Sequence, residues 1–217
     1  MSKGDSTRSI IVGRATELST QIGLEGVSIG VLAEELKLSK SGLFAHFRSK
    51  EALQLAVIEH AAERFSRVVV RPTLSAARGE PRVIAAFEHW RSWPQHAQLP
   101  GGCFFLAAAA EFDDRPGPVR DAIAQQIRAW LDVLAEVARG AVREGHFGAH
   151  VDGHQFAFDL FGILLAYHQT ARLLGRPDAE KRLRSAFASL LARAHTLPEP
   201  AAAEPRKRRS PKSRKSS

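Results

Sequence analysis

Ser28-Ile-Gly-Val-Leu-Ala-Glu-Glu-Leu-Lys-Leu-Ser-Lys-Ser-Gly-Leu-Phe-Ala-His-Phe-Arg-Ser-Lys-Glu-Ala-Leu53 reads as two short helices joined by a tight turn, followed by the start of a longer helix. Ser28 stands where a hydroxyl accepts a free backbone N–H at a helix start. Val31, Leu32 and Leu36 then recur at helical spacing. Lys37 and Leu38 make the turn, with Leu38 expected to point inward. Ser39 caps the second helix, in which Leu43 and Phe47 form an i,i+4 apolar pair. The outward residues of that helix, Lys40, Ser41, Gly42 and His46, are small or polar. A helix with such a face fits the DNA major groove.

The segment resembles the DNA-binding module of the TetR family of bacterial transcriptional regulators. The resemblance is carried by the apolar helix from Ile10 to Ile22, Gly23, Gly26, Ser28, Leu32-Ala33, Leu38-Ser39-Lys40, Leu43, His46-Phe47 and Ser49-Lys50-Glu51-Ala52-Leu53, roughly the first quarter of the chain. Two positions depart from the family pattern. An Ala-Gly pair is usual in the turn, where this chain has Leu36-Lys37. A Tyr that bonds a phosphate is usual in the recognition helix, where this chain has Phe44, and a phenyl ring cannot donate that hydrogen bond. By periodicity alone the segment is equally an ordinary capped helical hairpin; the ordered match through Ser49-Lys50-Glu51 favours the DNA reader.

Composition agrees with a regulator. The chain has 217 residues, 44% hydrophobic and 25% charged, as in ordinary soluble domains. Its one cysteine excludes an internal disulfide, the N-terminus is polar, and no apolar run reaches transmembrane length. A cytoplasmic protein that does not enter membranes is therefore expected. Of the net charge of +8, five come from Pro198 onward, where seven Lys or Arg face two Glu. That Pro-, Ala-, Ser- and Lys-rich segment, 198–217, has no apolar periodicity and is expected to be a disordered basic tail.

Beyond the quoted stretch the chain reads as helix throughout, an all-α protein. One helix is expected from Lys50 to about Arg71, ended by Pro72, and a second from Ala85 to Trp93, closed before Pro94. An apolar helix follows from Cys103 to about Phe112, then a turn from Asp113 to Gly117. Pro118 opens a long amphipathic helix with a stripe through Val119, Ile123, Ile127, Trp130 or Leu131, Leu134, Val137 and Val142, stopped by Gly145. Asp152 caps a helix reaching about Leu174, and a last helix runs from Asp178 to about His195 with Leu183, Phe187, Leu190, Leu191 and Ala194 on one face. The segment Phe156–Tyr167 is apolar nearly all round and must be covered on more than one side. The stretch Pro100–Asp121 is similar to a recurring signature of certain TetR-type C-terminal domains.

The resemblance implies a helix-turn-helix DNA-binding domain at 1–49 and a helical effector-binding and dimerisation domain at 50–197. It implies a homodimer formed by the helices at about 152–174 and 178–195, double-stranded operator DNA as partner, and a repressor released by a small-molecule effector. Residues expected at the DNA are Ser28, Ser39, Lys40, Ser41, Gly42, His46, Ser49 and Lys50. Those expected around the effector are Trp90, Phe104, Phe105, Phe112, Trp130, Phe158, Phe161 and Tyr167, with Glu111 or His168 as a polar contact. No cofactor is called for. An enzyme built on the helical body is the rival class, yet there is no Gly-rich phosphate loop, nucleophile elbow or HExxH. A non-specific DNA-coating protein acting through the basic tail is another. His146, His150 and His154 recur every fourth residue but are interrupted by Gly148 and Gly153, so no metal site is expected. Asp113-Asp114 reads as a turn, and Cys103 as a buried small residue rather than a redox sensor.

Overall fold

A computed structural model describes residues 3–96 and 98–195. Every regular element among them is helical: α1 Lys3–Ile22, α2 Ile29–Leu36, α3 Lys40–His46, α4 Lys50–Phe65, a π-helical stretch Ser66–Val70, α5 Arg71–Ser75, α6 Glu80–His96, α7 Phe104–Phe112, α8 Pro118–Arg143, α9 Gly153–Arg172 and α10 Ala179–His195. The expected basic tail lies outside the described residues.

Helices α1 to α3 form a small head. Ile11, Ala15 and Leu18 from α1, Leu32 from α2, Leu43 from α3 and Phe47 just after it close its core, and α1 also packs along α4. The body is built around α8, which α4, α6, α7 and α9 all touch, with α10 against α9. On α8 the buried stripe is Val119, Ile123, Trp130, Leu134 and Val137; Trp130 rather than Leu131 takes the inward place. Phe87 and Phe187 stack face to face at 3.9 Å and join α6 to α10. One continuous apolar core runs from Ile11 to Ala194.

Four sequence expectations are corrected. Helix α1 begins at Lys3, well before Ile10. Leu38 points outward, 42% exposed: Leu32, Leu43 and Phe47 already fill the space under the turn. Pro72 does not end the fourth helix. The chain turns through the π-helical stretch and continues helical to Ser75, because the wider turn relieves the clash of a proline ring with the carbonyl four residues back. The sixth helix starts at Glu80 and keeps Pro94 inside it, reaching His96; a proline in the last turn removes only one hydrogen bond. The expected caps are present. Ser28 accepts the Val31 N–H at 3.2 Å, Ser39 that of Gly42 at 3.1 Å, and Asp152 that of His154 at 2.8 Å.

Candidate nucleic-acid interface and internal cavity

The turn before α3 is made without glycine. Lys37 takes the left-handed conformation with φ 54°, which for a residue with a Cβ costs about 1 kcal/mol. The Leu38 N–H then reaches the Ala33 carbonyl at 3.0 Å, and the Lys37 side chain is left outside. On α3, Leu43 and Phe47 face the core, while Lys40, Ser41, Phe44 and Ala45 are exposed and His46 is half-buried. Gly42 is structural as well as small: a Cβ there would lie 3.1 Å from the Ser39 Oγ that caps the helix. A Cβ built on Gly30 would lie 3.7 Å from Ser28 Oγ and 3.9 Å from Lys40 Cε, so the Lys40 chain runs past the start of α2.

Of the four serines expected at DNA, Ser28, Ser39 and Ser49 cap helices, Ser49 accepting the Ala52 N–H at 3.0 Å, while Ser41 donates to Ser39 Oγ at 3.2 Å. Capping uses an oxygen lone pair and leaves the hydroxyl proton for an outside acceptor. Lys50 is already engaged: its Nζ lies 2.6 Å from Glu25 Oε1. The Lys50 ammonium holds the Glu25 carboxyl below its ordinary pKa, with Gln54 and Arg115 assisting. Lys37, Lys40 and Arg48 are exposed and have no carboxylate partner among the described residues.

Inside the body, a partly enclosed cavity of about 20 Å³ is lined by Phe65, Trp90, Cys103, Phe105, Leu106, Gln126, Ile127, Trp130 and Phe161. Phe65 organises its wall, meeting Trp93, Phe105 and Trp130 edge-on at 5.3, 5.9 and 5.1 Å. Trp130 is buried and its Nε1–H has no hydrogen-bond partner among the described residues. Burial pushes the Cys103 pKa up against the opposing pull of the Leu106 N–H, the Trp93 indole and the Phe105 N–H, so this is a thiol among apolar neighbours.

Of the residues expected around an effector, the structure brings together Trp90, Phe105, Trp130 and Phe161. Phe104 packs edge-on against Phe105, and Phe112 is buried beneath the Arg115 guanidinium. Phe158 and Tyr167 face another place, an open groove of about 510 Å³ between α9 and α10, where the Tyr167 hydroxyl donates to Glu180 at 3.4 Å. His168 sits beside Gly102 and Arg172. Phe65, Gln126 and Ile127 were not expected in the cavity. Phe65 lies on a helix that reads only as a connector, and Gln126 is a polar neighbour of the α8 stripe.

Glu111 is not at the cavity. Its carboxylate accepts the Leu24 N–H at 3.0 Å and the Glu25 N–H at 2.9 Å, beyond the end of α1. At the other end of the same segment the Gly101 N–H donates to Thr20 Oγ1 at 2.9 Å, and a Cβ on Gly101 would fall 1.5 Å from the Thr20 carbonyl oxygen. Only glycine allows that approach. Residues 101–111 therefore clamp the head twice, while Phe105 and Leu106 between the clamps line the cavity.

The three spaced histidines go separate ways. His146 Nδ1 accepts the Glu80 N–H at 3.1 Å, His150 Nε2 is 3.1 Å from the Arg193 carbonyl, and His154 faces Arg139. No group of three metal-ligating side chains occurs among the described residues. Asp113 accepts the Asp114 N–H at 2.9 Å, as a turn residue does. No helix among the described residues is long and apolar enough to cross a membrane.

Residues 11–57 match the family model "Bacterial regulatory proteins, tetR family", and residues 79–187 match "Tetracyclin repressor-like, C-terminal domain". Among curated proteins, the HTH-type transcriptional repressor NemR of Escherichia coli K12 is 25% identical over 142 residues, 64% of this chain and 70% of NemR. Among solved structures, a TetR transcriptional regulator from Chloroflexus aurantiacus superposes with a TM-score of 0.78 at 27% identity, covering 88% of this chain and 96% of that one. AibR, solved in complex with isovaleryl coenzyme A and operator DNA, shares the fold with a TM-score of 0.69 at 23% identity over 85% of this chain and 97% of its own.

Proposed function

The chain belongs to the TetR family of bacterial regulatory proteins, and from that premise we propose that it is a dimeric repressor that leaves its operator when a small apolar molecule enters the cavity of the body. Residues 1–49 serve as the reader, and 50–197 as the sensor and dimerisation unit. NemR's designation as a transcriptional repressor supports the direction of control, and AibR's complex with both an acyl thioester and operator DNA supports the coupling.

The observation that carries this reading is the position of 101–111. Phe105 and Leu106 line the cavity, and Gly101 and Glu111 hold the loop and helix end of the head. A molecule larger than the 20 Å³ of free space must displace those side chains. Movement of α7 then reaches the head through two hydrogen-bonded clamps.

Dimerisation follows from the outer face of α9. Phe158 is 70% exposed, and Gly162, Ala166 and Thr170 follow it at helical spacing along the groove with α10. Small residues beside a protruding phenyl form a surface that a second copy can cover.

The test is binding to duplexes selected by the wild-type chain from a random pool. Two-fold symmetric half-sites bound by a dimer, with protection that survives removal of residues 198–217, support the reading; tail-dependent binding without sequence preference contradicts it. Lys40→Ala is expected to alter sequence preference as well as affinity, whereas Lys50→Ala lowers affinity on all sequences alike.

A further inference from the structure

The head buries one apolar face of its reading unit and leaves Val31, 37% exposed, at the margin. Ile29, Leu32, Ala33, Leu43 and Phe47 are inside. Leu38, just before α3, and Phe44, in the middle of it, are outside, and Phe44 is 54% exposed. Ser41, Phe44 and Ala45 stand at i, i+3 and i+4 and share one face of the helix. The outward surface of α3 is thus a phenyl ring beside a methyl and a hydroxyl. Lys37 and Lys40 before it in sequence and Arg48 after it are exposed and lack carboxylate partners among the described residues.

Those two properties select one occupant. Exposed cations before and after the patch in sequence favour a polyanion. The ring itself has no donor and no charge, so a phosphate gains nothing from it. In the DNA major groove the apolar feature of a base edge is the C5-methyl group of thymine, and apolar side chains are the groups that contact it.

We propose that Phe44 is a specificity-determining residue that reads a thymine methyl group in each half-site, with Leu38 extending the apolar contact. This rests on the reading that α3 enters the major groove. The missing hydroxyl at this position then has a positive sense: a phosphate contact is exchanged for base recognition.

The experiment uses the duplex selected by the full-length wild-type chain, with each thymine in turn replaced by deoxyuridine. That exchange removes the methyl and keeps the base pair. At one position per half-site the wild-type chain is expected to lose roughly fourfold in affinity, the factor that burial of a single methyl group supplies. Phe44→Ala, at an exposed site that leaves the head core intact, is expected to bind the thymine duplex more weakly and to bind thymine and deoxyuridine duplexes equally. Helical content by circular dichroism establishes that the variant is folded.

Three other outcomes overturn the proposal. No deoxyuridine position matters to the wild-type chain; or Phe44→Ala still discriminates thymine from deoxyuridine; or its affinity is unchanged. Each leaves the regulator reading intact as long as the wild-type chain selects a specific site. Failure to select any site overturns both readings, and is distinguishable because it precedes the base replacement.

Discussion

Glu111, at the end of a helix in the body, accepts the backbone N–H of Leu24 in the head at 3.0 Å, across 87 positions of sequence. The same carboxylate takes the Glu25 N–H. Two backbone donors thus converge on one charged acceptor, an arrangement stronger than a neutral pair.

Replacing Glu111 with Ala should destabilise the chain by about 2 kcal/mol, since charge-assisted hydrogen bonds are lost and one donor is only partly solvated. The telling measurement is amide hydrogen exchange. Exchange at Leu24 and Glu25 should rise while the amides of α9 keep their protection; a uniform rise would mean global loosening and no clamp.

Glu25→Gln should release Lys50 from its ion pair. One more free cation near the DNA then steepens the salt dependence of binding by about one unit of slope. Titration of one duplex at several salt concentrations checks this, and an unchanged slope would show Lys50 to be remote from phosphate.

Phe65 touches three aromatic rings, of which Phe105 and Trp130 line the cavity with it. Phe65→Ala should cost about 3–5 kcal/mol in stability through transfer and cavity terms. Trp130→Phe removes an N–H with no partner among the described residues, so its cost should stay within about 1.5 kcal/mol. Denaturant unfolding of the two variants gives both values, and a larger loss for Trp130→Phe than for Phe65→Ala would reverse their assigned roles.

A carboxylate at position 158 cannot be buried against an identical partner. Phe158→Glu is therefore expected to sediment as a monomer at micromolar concentration and to lose specific DNA binding with it. A dimer that persists would move the interface away from α9.

Burial lowers the pKa of His60 and of His168 from the ordinary 6.5, with Arg64 and Arg172 respectively adding to it. As pH falls below about 6.5 the unfolded chain takes up protons before the folded one. The stability these groups contribute is complete above that pH and declines as pH drops towards their folded values. Melting temperature should fall on the acid side, and His60→Gln with His168→Gln should flatten the decline.

The helical fold was legible because the local signals are strong. Ser28, Ser39 and Asp152 cap where their side chains allow, and the α8 stripe recurs at helical period. Pro72 and Pro94 misled because a proline reports only its own missing N–H, and whether a π turn or a helix end absorbs it depends on neighbours. Trp90, Phe105, Trp130 and Phe161 could be picked as a group from their helices. Glu111 and His168 could not be placed, because their surroundings come from distant segments: the Leu24 loop for one, Gly102 for the other. Leu38 was misread because an apolar residue in a turn carries no periodicity to say which way it faces.

The π-helical stretch Ser66–Val70, directly after α4 and inside the body, holds one residue beyond what plain α geometry would hold, and Pro72 pins that surplus in place. Deleting one residue there exchanges the bulge for a proline kink, and replacing Pro72 lets the surplus migrate along the helix. Either change shifts the register of the buried Val69 against α4 and α6, and so is felt in the one core that head and body share. A one-residue insertion or deletion at 66–70 therefore reaches the seating of the head through packing alone, without touching a residue expected at DNA.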